Sequence, residues 1–531
     1  MRWLWSWLLP LGGWTQSALY LVHFQPKPDS LLPFPEQYLS PAAIERRRLH
    51  GVPIDGRDLP IPLAWIEGLA RAGRLYGISR WLNAALVETT SPQLLGSLPG
   101  VACVEYFCPA PKPISPSPLP ALQSKASPTQ SASVINAFQL DQLKLPFLHQ
   151  RGYTGQGIRM AIFDAGFPYF DQMRAFEHIF RENRYLGGRD FVDRNQSIFE
   201  DNAHGTHVAS VIVAYDPQGT GYLGGAPHVS VLLARTENAL SETRLEEWNW
   251  AEAAEWADSH GVHIIQSSLG YSTFDDPAEN YTYRDMNGRT AISTQAARIA
   301  TQKGILVVAS AGNEGNSPWH YITAPSDADS ILGVGAINVN GEITPFSSRG
   351  PSADRRIKPD VVALGWGTQI LGLNGTVQYS AGTSFSAPLV SALAACLWQA
   401  MPHARNWEIR EAIIRSADRY HNPDTLYGYG LPDAERALAH LTRLHNPNLA
   451  PQLQLYPNPA SDYLTLFLLD TTLAFYDFAI YDIKGNQVHS GLYRGLTEMR
   501  LPIGSLSPGP YLLELLSRAS KTAYKAIFVK L

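Results

Sequence analysis

Cysteine is scarce. Cys103, Cys108 and Cys396 are the three in 531 residues, too few and too scattered for a disulfide-built scaffold or a four-cysteine zinc site, and the sequence leaves open whether Cys103 and Cys108 pair. Charge is scarce too, at 17% of the chain against about 25% in an ordinary soluble protein. With 42 basic and 47 acidic residues the net charge is −5, which leaves none of the basic excess that a phosphate-neutralising nucleic-acid binder needs. No apolar run reaches the ~20 residues that span a bilayer, so no transmembrane segment is expected. Collagen-like and low-complexity patterns are missing as well. What is present in quantity is side chain to bury: 45% hydrophobic and 11% aromatic. That is too much for a disordered chain, and the length allows three or four domains at roughly 150 residues each.

At the amino terminus, Arg2 precedes a Trp- and Leu-rich stretch to Leu11, then Gly12-Gly13 and Thr15-Gln16-Ser17, which predicts a secretory signal peptide over 1–17 with cleavage before Ala18. Residues 18–108 alternate strand-like runs (19–24, 81–87, 101–107) with helix-like ones (41–49, 62–73), a small α+β pattern in which Arg46-Arg47-Arg48 reads as a solvated helix face. Seven prolines between Pro109 and Pro128 favour extended polyproline geometry, so 109–133 is expected to be an exposed, cleavable linker. From 134 to 445 short apolar runs (160–163, 229–233, 262–265, 305–308, 331–334) alternate with helix-length segments, notably 246–259 and 290–303. That alternation predicts an α/β fold, a parallel sheet with helices on both faces, with functional groups collected at the carboxyl ends of the strands. After Asn446-Pro447-Asn448, residues 449–531 show strand-length runs at 463–469, 475–482, 487–492, 511–516 and 523–529 between turns, which predicts a small β-sandwich.

Three segments of the α/β block carry reactive side chains. Asp164 follows the run 160–163 directly and precedes Ala165-Gly166. His204 opens His204-Gly205-Thr206-His207. Ser384 lies in Gly382-Thr383-Ser384-Phe385-Ser386-Ala387-Pro388, ahead of an apolar helical stretch, where unpaired backbone N–H groups and the positive end of the helix dipole favour a developing negative charge. A carboxylate, an imidazole and a hydroxyl thus fall where loops of such a sheet converge. Spacing alone does not choose between His204 and His207.

Together, Ala161-Ile162-Phe163-Asp164-Ala165-Gly166, His204-Gly205-Thr206-His207-Val208-Ala209 and the Ser384 segment resemble the three signatures of subtilisin-like serine proteases, in that family's order of Asp, His and Ser. The resemblance spans 134–445 and implies a subtilisin-like fold and peptide-bond hydrolysis. It makes Ser384 the nucleophile, His204 the general base and acid, and Asp164 the group that orients the imidazole; His207 is left to pack or hydrogen-bond within its helix. Ala309-Ser310-Ala311-Gly312-Asn313-Glu314-Gly315 resembles the family's oxyanion-hole motif, which implies that Asn313 donates to the tetrahedral oxyanion. Ser268-Leu269-Gly270 resembles the edge that pairs with an extended peptide. By the same likeness Ala311-Gly312 and the region near Thr323 flank a pocket for uncharged side chains. Ser386 stands where many relatives have alanine.

The flanks fit. Residues 18–108 resemble the inhibitory propeptide of secreted subtilisins. The tail, with Leu455-Tyr456-Pro457-Asn458-Pro459, Tyr481-Asp482-Ile483-Lys484-Gly485 and the terminal 525–531, resembles the C-terminal sorting domain of the Bacteroidota type IX secretion system; a carbohydrate-binding or adhesion sandwich is the competing reading. The implied protein is a zymogen, secreted or at the outer cell surface via the periplasm, with protein or peptide substrates and the type IX machinery as partners. The competing function is an inactive surface adhesion protein. Catalysis in this family needs no cofactor, and structural calcium is left open. A zinc site at His204 and His207 fails because Gly205 stands where a metalloprotease helix needs Glu. Gly155-Gln156-Gly157 fails as a dinucleotide site for want of a preceding strand and a third glycine. Cys396 reads as core.

Overall fold

The computed structural model describes residues 17–28, 34–110, 134–445, 453–468, 475–494, 499–518 and 523–531. The signal peptide expected over 1–17 and the linker expected over 109–133 fall almost wholly outside them. Two compact units result, Met1–Ala437 and Leu438–Leu531.

The first unit opens with a module of β1 (Ala18–Phe24), α1 (Pro41–His50), α2 (Leu63–Ala72), β2 (Arg74–Ser79), β3 (Ala84–Thr89) and β4 (Val101–Pro109). The strands form an antiparallel sheet in the order β2-β3-β1-β4. Alternate residues face opposite ways. Val22, Phe24, Ala85 and Val87 pack with Leu69 of α2, whereas Leu19, Leu21, Ala84 and Leu86 enter the main core of the unit. α1 is well delimited: Ser40 Oγ caps it by accepting the N–H of Ala43, Pro41 fills its first turn, and Gly51 (φ 65°) ends it. Its arginine run is not the solvated face that the sequence suggests. Arg46 and Arg47 are buried and ion-paired to Asp258; only Arg48 faces solvent, paired with Glu45. The counter-charge lies more than 200 residues away in sequence, where no local pattern reveals it.

The chain continues with α3 (Ala137–Gln142), α4 (Leu145–His149), β5 (Arg159–Asp164), α5 (Glu177–Arg181), β6 (Tyr185–Asp190), α6 (His204–Val213), β7 (Tyr215–Asp216), β8 (Tyr222–Leu223), β9 (Ser230–Arg235), α7 (Arg244–Ser259), β10 (Ile264–Ser267), α8 (Ile292–Gln302), β11 (Leu306–Ser310), β12 (Leu332–Ile337), β13 (Val361–Leu364), the hairpin β14 (Trp366–Leu371) and β15 (Val377–Ala381), α9 (Thr383–Ala400), α10 (Asn406–Ser416) and α11 (Ala434–His445), within which the first unit ends. Seven strands make one parallel sheet, β13-β12-β11-β10-β5-β9-β6. Its central strands β10 and β11 are buried from end to end, and β5 is buried from Met160 onward, as a sheet covered on both faces requires. α9 packs across β10 to β13, and α7 and α8 pack on each other and on β5 and β11. All five strands expected from apolar runs are here. The two that were not, β6 and β13, are the edges; Gly187-Gly188-Arg189 in β6 hides it from a hydrophobicity reading.

The second unit is all-β over its described strands: β16 (Leu453–Tyr456), β17 (Tyr463–Leu468), β18 (Phe475–Tyr481), β19 (Gln487–Arg494), β20 (Met499–Pro502), β21 (Gly509–Ser517) and β22 (Ala523–Lys530). They form sheets β16-β17-β20 and β19-β18-β21-β22 around Leu464, Leu466, Tyr476, Phe478, Ile480, Leu513 and Phe528. Cys103 and Cys108 are both free thiols, one exposed and one buried, and Cys396 is buried in α9. Among the described residues no helix is long and apolar enough to cross a membrane.

Candidate active site

β5 carries Asp164 to the carboxyl edge of the sheet, wholly buried. One oxygen, Oδ1, accepts the N–H of Ala165 at 2.8 Å and His204 Nδ1–H at 2.7 Å. His204 begins α6, its own N–H donating to Asn202 Oδ1 at 2.9 Å. The helix can come this close because the next residue is glycine: a Cβ on Gly205 would stand 2.3 Å from the carbonyl oxygen of Gly166 and 2.9 Å from Cβ of Asp164. The His204 side chain keeps 32% exposure and packs at a tilt against the ring of Phe385, centroids 5.6 Å apart. Burial disfavours charge on this imidazole, but the Asp164 carboxylate and its hydrogen bond outweigh it and hold the pKa above the ordinary histidine value. His207, one turn on and half-buried, makes no such bond; burial and repulsion from His204 push its pKa down.

Ser384 sits in the first turn of α9, after Gly382 (φ 146°). Its Oγ donates to the carbonyl of Ser268 at 3.3 Å, and Ser268 Oγ donates back to the carbonyl of Ser384 at 2.7 Å. That second bond has a covalent origin. Pro388, four residues on, has no N–H to give to the Ser384 carbonyl, so the oxygen that a regular helix would occupy is open to Ser268. Gln266 completes the bracing: its Nε2 donates to Ser268 Oγ at 2.7 Å, and its Oε1 accepts from Ser391 Oγ of α9. In this conformation Ser384 has no hydrogen bond to His204.

Asn313 follows β11. Its Oδ1 accepts both the N–H (2.9 Å) and the Oγ1–H (3.0 Å) of Thr383, which fixes the carboxamide and leaves Nδ2 as its donating end on the exposed side. Ser268, Leu269 and Gly270 line a cleft of about 450 Å³ together with Asp164, His204 and the segment 237–242. Ala311 and Gly312 are buried and lie outside that lining. Gly270 and Gly312 instead close on Thr323, whose Oγ1 a Cβ on either would meet at 2.2 Å and 2.9 Å.

Sequence reasoning missed the acids across the cleft. Glu237, Glu242, Glu246 and Asp275 line it. Burial, reinforced by one another's charge, pushes Glu237 up to about 8, Glu242 to about 7 and Glu246 to about 10. Glu246 had a legible signal, the Thr243-x-x-Glu246 capping pattern, and it does accept the N–H of Thr243 at 2.8 Å. Glu237 is tied to Tyr271 by its hydroxyl.

Among the described residues one group of acids has oxygens close enough to share a cation: Asp190, Asp193 and Asp201. The Arg235 guanidinium already stands among them, its Nη1 at 3.1, 2.5 and 3.0 Å from the three carboxylates. The residues present fit that internal cation.

Residues 155–430 match the subtilase family model, 19–123 the peptidase S8 propeptide domain of Bacteroidota, and 454–530 the secretion system C-terminal sorting domain. The chain is 31% identical to subtilisin BL of Lederbergia lenta over 303 residues, covering 56% of this chain and 97% of that protein. It is 30% identical to subtilisin E of Bacillus subtilis (strain 168) over 303 residues, covering 56% and 70%. A solved structure of MycP1 from Mycobacterium smegmatis superposes with a TM-score of 0.46 at 23% identity, covering 61% of this chain and 95% of that one. The sorting-domain match makes this a secreted or cell-surface protein. With more than half its length matched by one family model, and with a carboxylate, an imidazole and a hydroxyl gathered at one edge of the sheet, the chain belongs to the subtilase family and is a serine endopeptidase made behind a propeptide.

Proposed function

We propose that peptide hydrolysis runs through Ser384, His204 and Asp164. The observation that carries this reading is the 2.7 Å bond between a wholly buried carboxylate and a partly exposed imidazole beside the serine-bearing helix. Asp164 holds Nδ1–H, so Nε2 is the basic nitrogen. When a peptide enters, the Ser384 hydroxyl leaves the Ser268 carbonyl and turns to Nε2. His204 takes the proton as Oγ bonds to the substrate carbonyl carbon. The resulting oxyanion is met by Asn313 Nδ2–H and by the N–H of Ser384, one of the first-turn donors that a helix leaves unpaired. His204 then gives the proton to the departing amine, and water repeats the sequence on the acyl-enzyme. The substrate lies extended along 268–270, with a small neutral P1 pocket around Ala311, Gly312 and Thr323.

Residues 18–108 restrain this site in the zymogen. Near the end of β4, Phe107 packs against Trp248 and Arg244 at the amino end of α7, which seats the module on the catalytic block, and a cut in 109–133 lifts the restraint. Residues 449–531 address the protein to the type IX machinery. Labelling with a fluorophosphonate probe tests the catalytic reading: the mature protein takes up one probe per chain, and Ser384→Ala takes up none. A folded wild-type protein that stays unlabelled would return the chain to the adhesion reading.

A further inference from the structure

β13 ends at Leu364, and the chain turns through Gly365 into the hairpin of β14 and β15, which leads back to Gly382 and Ser384. The turn is tight: a Cβ on Gly365 would stand 2.5 Å from Cβ of Ala336. The Gly365 carbonyl accepts the N–H of Gly382 at 2.7 Å, so the start of the hairpin is tied to the turn that precedes the nucleophile. Trp366, the next residue, lies opposite Ala381. It is 50% exposed, and its ring stacks on that of the half-buried Phe346, centroids 5.7 Å apart and planes 24° from parallel.

The outward aim of Trp366 is built into the backbone. Residues two apart in a regular strand face the same way, and Thr368 is wholly buried, so an unbroken β14 would bury the tryptophan too. A bulge intervenes. Trp366 pairs with Ala381 and Thr368 with the adjacent Ser380, and Gly367 (φ 78°) is the extra residue. Adjacent residues of β15 face opposite ways, so Trp366 emerges beside the exposed Ala381. Phe346 is fixed from the other side. Its carbonyl accepts the N–H of Gly315 at 2.8 Å, and the N–H of Ser348 donates to the carbonyl of Gly312 at 3.0 Å, so the segment 346–348 brackets Asn313. The stacked rings thus hang on two supports, one flanking Ser384 and one flanking the oxyanion donor.

Neither ring lines the cleft that holds 268–270. A peptide whose acyl half lies along 268–270 carries its departing half past Ser384 and Asn313 on the side away from that cleft. In that direction the sheet runs β10-β11-β12-β13, which places Phe346, after β12, and Trp366, after β13, beyond Asn313 at the end of β11. Two stacked rings offer a passing side chain apolar contact and a stacking face.

We infer that Trp366 and Phe346 form the subsite for the departing half of the substrate and select an aromatic side chain among the first three residues after the scissile bond. The selection rests on the catalytic reading above and concerns the half of the substrate which that reading leaves unassigned.

Acyl transfer isolates this half. The activated protein is acylated by a neutral peptide ester and offered Ala-Ala-Ala amide or one of its three single-phenylalanine analogues. The acceptor nitrogen bonds the acyl carbon, Ser384 Oγ departs, and the acceptor's proton passes through His204 to that oxygen, while water competes to give the acid. Both products come from one acyl-enzyme, so their ratio reads the acceptor and not the rate of acylation. Phenylalanine at one of the three positions raises the ratio of transfer to hydrolysis about threefold to tenfold over Ala-Ala-Ala amide. Trp366→Ala removes that advantage and Trp366→Phe keeps most of it, whereas Trp407→Ala, at a tryptophan of α10 that is 52% exposed, leaves it intact. Burst titration gives the fraction of active sites in each variant. An acyl-enzyme indifferent to phenylalanine at all three positions, or an advantage that survives Trp366→Ala, overturns the inference and leaves the triad standing. A folded protein that forms no acyl-enzyme overturns both.

Discussion

Replacing Asn313 tests the site most sharply, because its two ends do different work. Oδ1 accepts two bonds from Thr383; Nδ2 is the donor assigned to the oxyanion. Asn313→Ala removes both. Two neutral hydrogen bonds are worth about 2 kcal/mol of stability together, a loss that a buried seven-stranded core withstands. The donor acts only when negative charge has formed, so its loss falls on kcat and spares KM, and the expected cost is about 2.7–4 kcal/mol, or roughly 10²–10³ in kcat. Asn313→Asp keeps the acceptor for Thr383 and the side-chain shape but puts a carboxylate oxygen where the donor was. It should melt near wild type and yet lose at least as much activity as the alanine variant. Steady-state kinetics on a chromogenic peptide, with active sites counted by burst titration, separate catalytic loss from misfolding. A kcat within tenfold of wild type in either variant, or a loss confined to KM, would refute the oxyanion role.

Three further outcomes follow from the geometry. His204 must be neutral to accept a proton and its pKa is raised by Asp164, so kcat/KM falls as pH drops through that raised value; Asp164→Asn, besides costing about 10⁴ in kcat, moves the acid limb to lower pH, and a limb that stays put would show that the carboxylate does not set it. Glu242, with its pKa pushed up to about 7, gains its charge around neutrality: the preference for a peptide bearing lysine over a neutral analogue should grow about threefold to fivefold as pH rises past 7, an exposed ion pair's worth, and Glu242→Gln should flatten that trend in a paired-substrate profile. Deleting 449–531 should leave peptide hydrolysis unchanged within twofold while the protein accumulates in the periplasm, as cell fractionation would show; normal export of the truncated enzyme would argue against an addressing role.

The site was legible in the sequence to the extent that its chemistry is written in contiguous residues. Asp164, His204, Asn313 and Ser384 each sit in a short motif at the end of a strand or the start of a helix, and the buried strands that carry them are unbroken apolar runs. What stayed hidden is chemistry assembled across the fold. The Ser268–Ser384 exchange depends on the proline four residues beyond the serine, and Pro388 read only as motif. Arg46 and Arg47 looked like a solvated run because Asp258 is supplied by a different helix. The edge strand β6 is largely half-buried or exposed and carries a weak pattern, and β13, although fully buried, is an apolar run of only four residues. The acids at 237, 242 and 246 are ordinary surface residues by composition, and only packing takes them out of water.

Arg235 gives the protein an independence that its sequence does not advertise. A free ion bound among Asp190, Asp193 and Asp201 would stabilise the fold only in proportion to its occupancy, through a term that vanishes when the ion falls well below its dissociation constant. A guanidinium carried at the end of β9 cannot be diluted away or chelated. For an enzyme secreted or held at the cell surface, where ionic composition is not under cellular control, the ion pairing at that corner of the molecule does not depend on a captured ion.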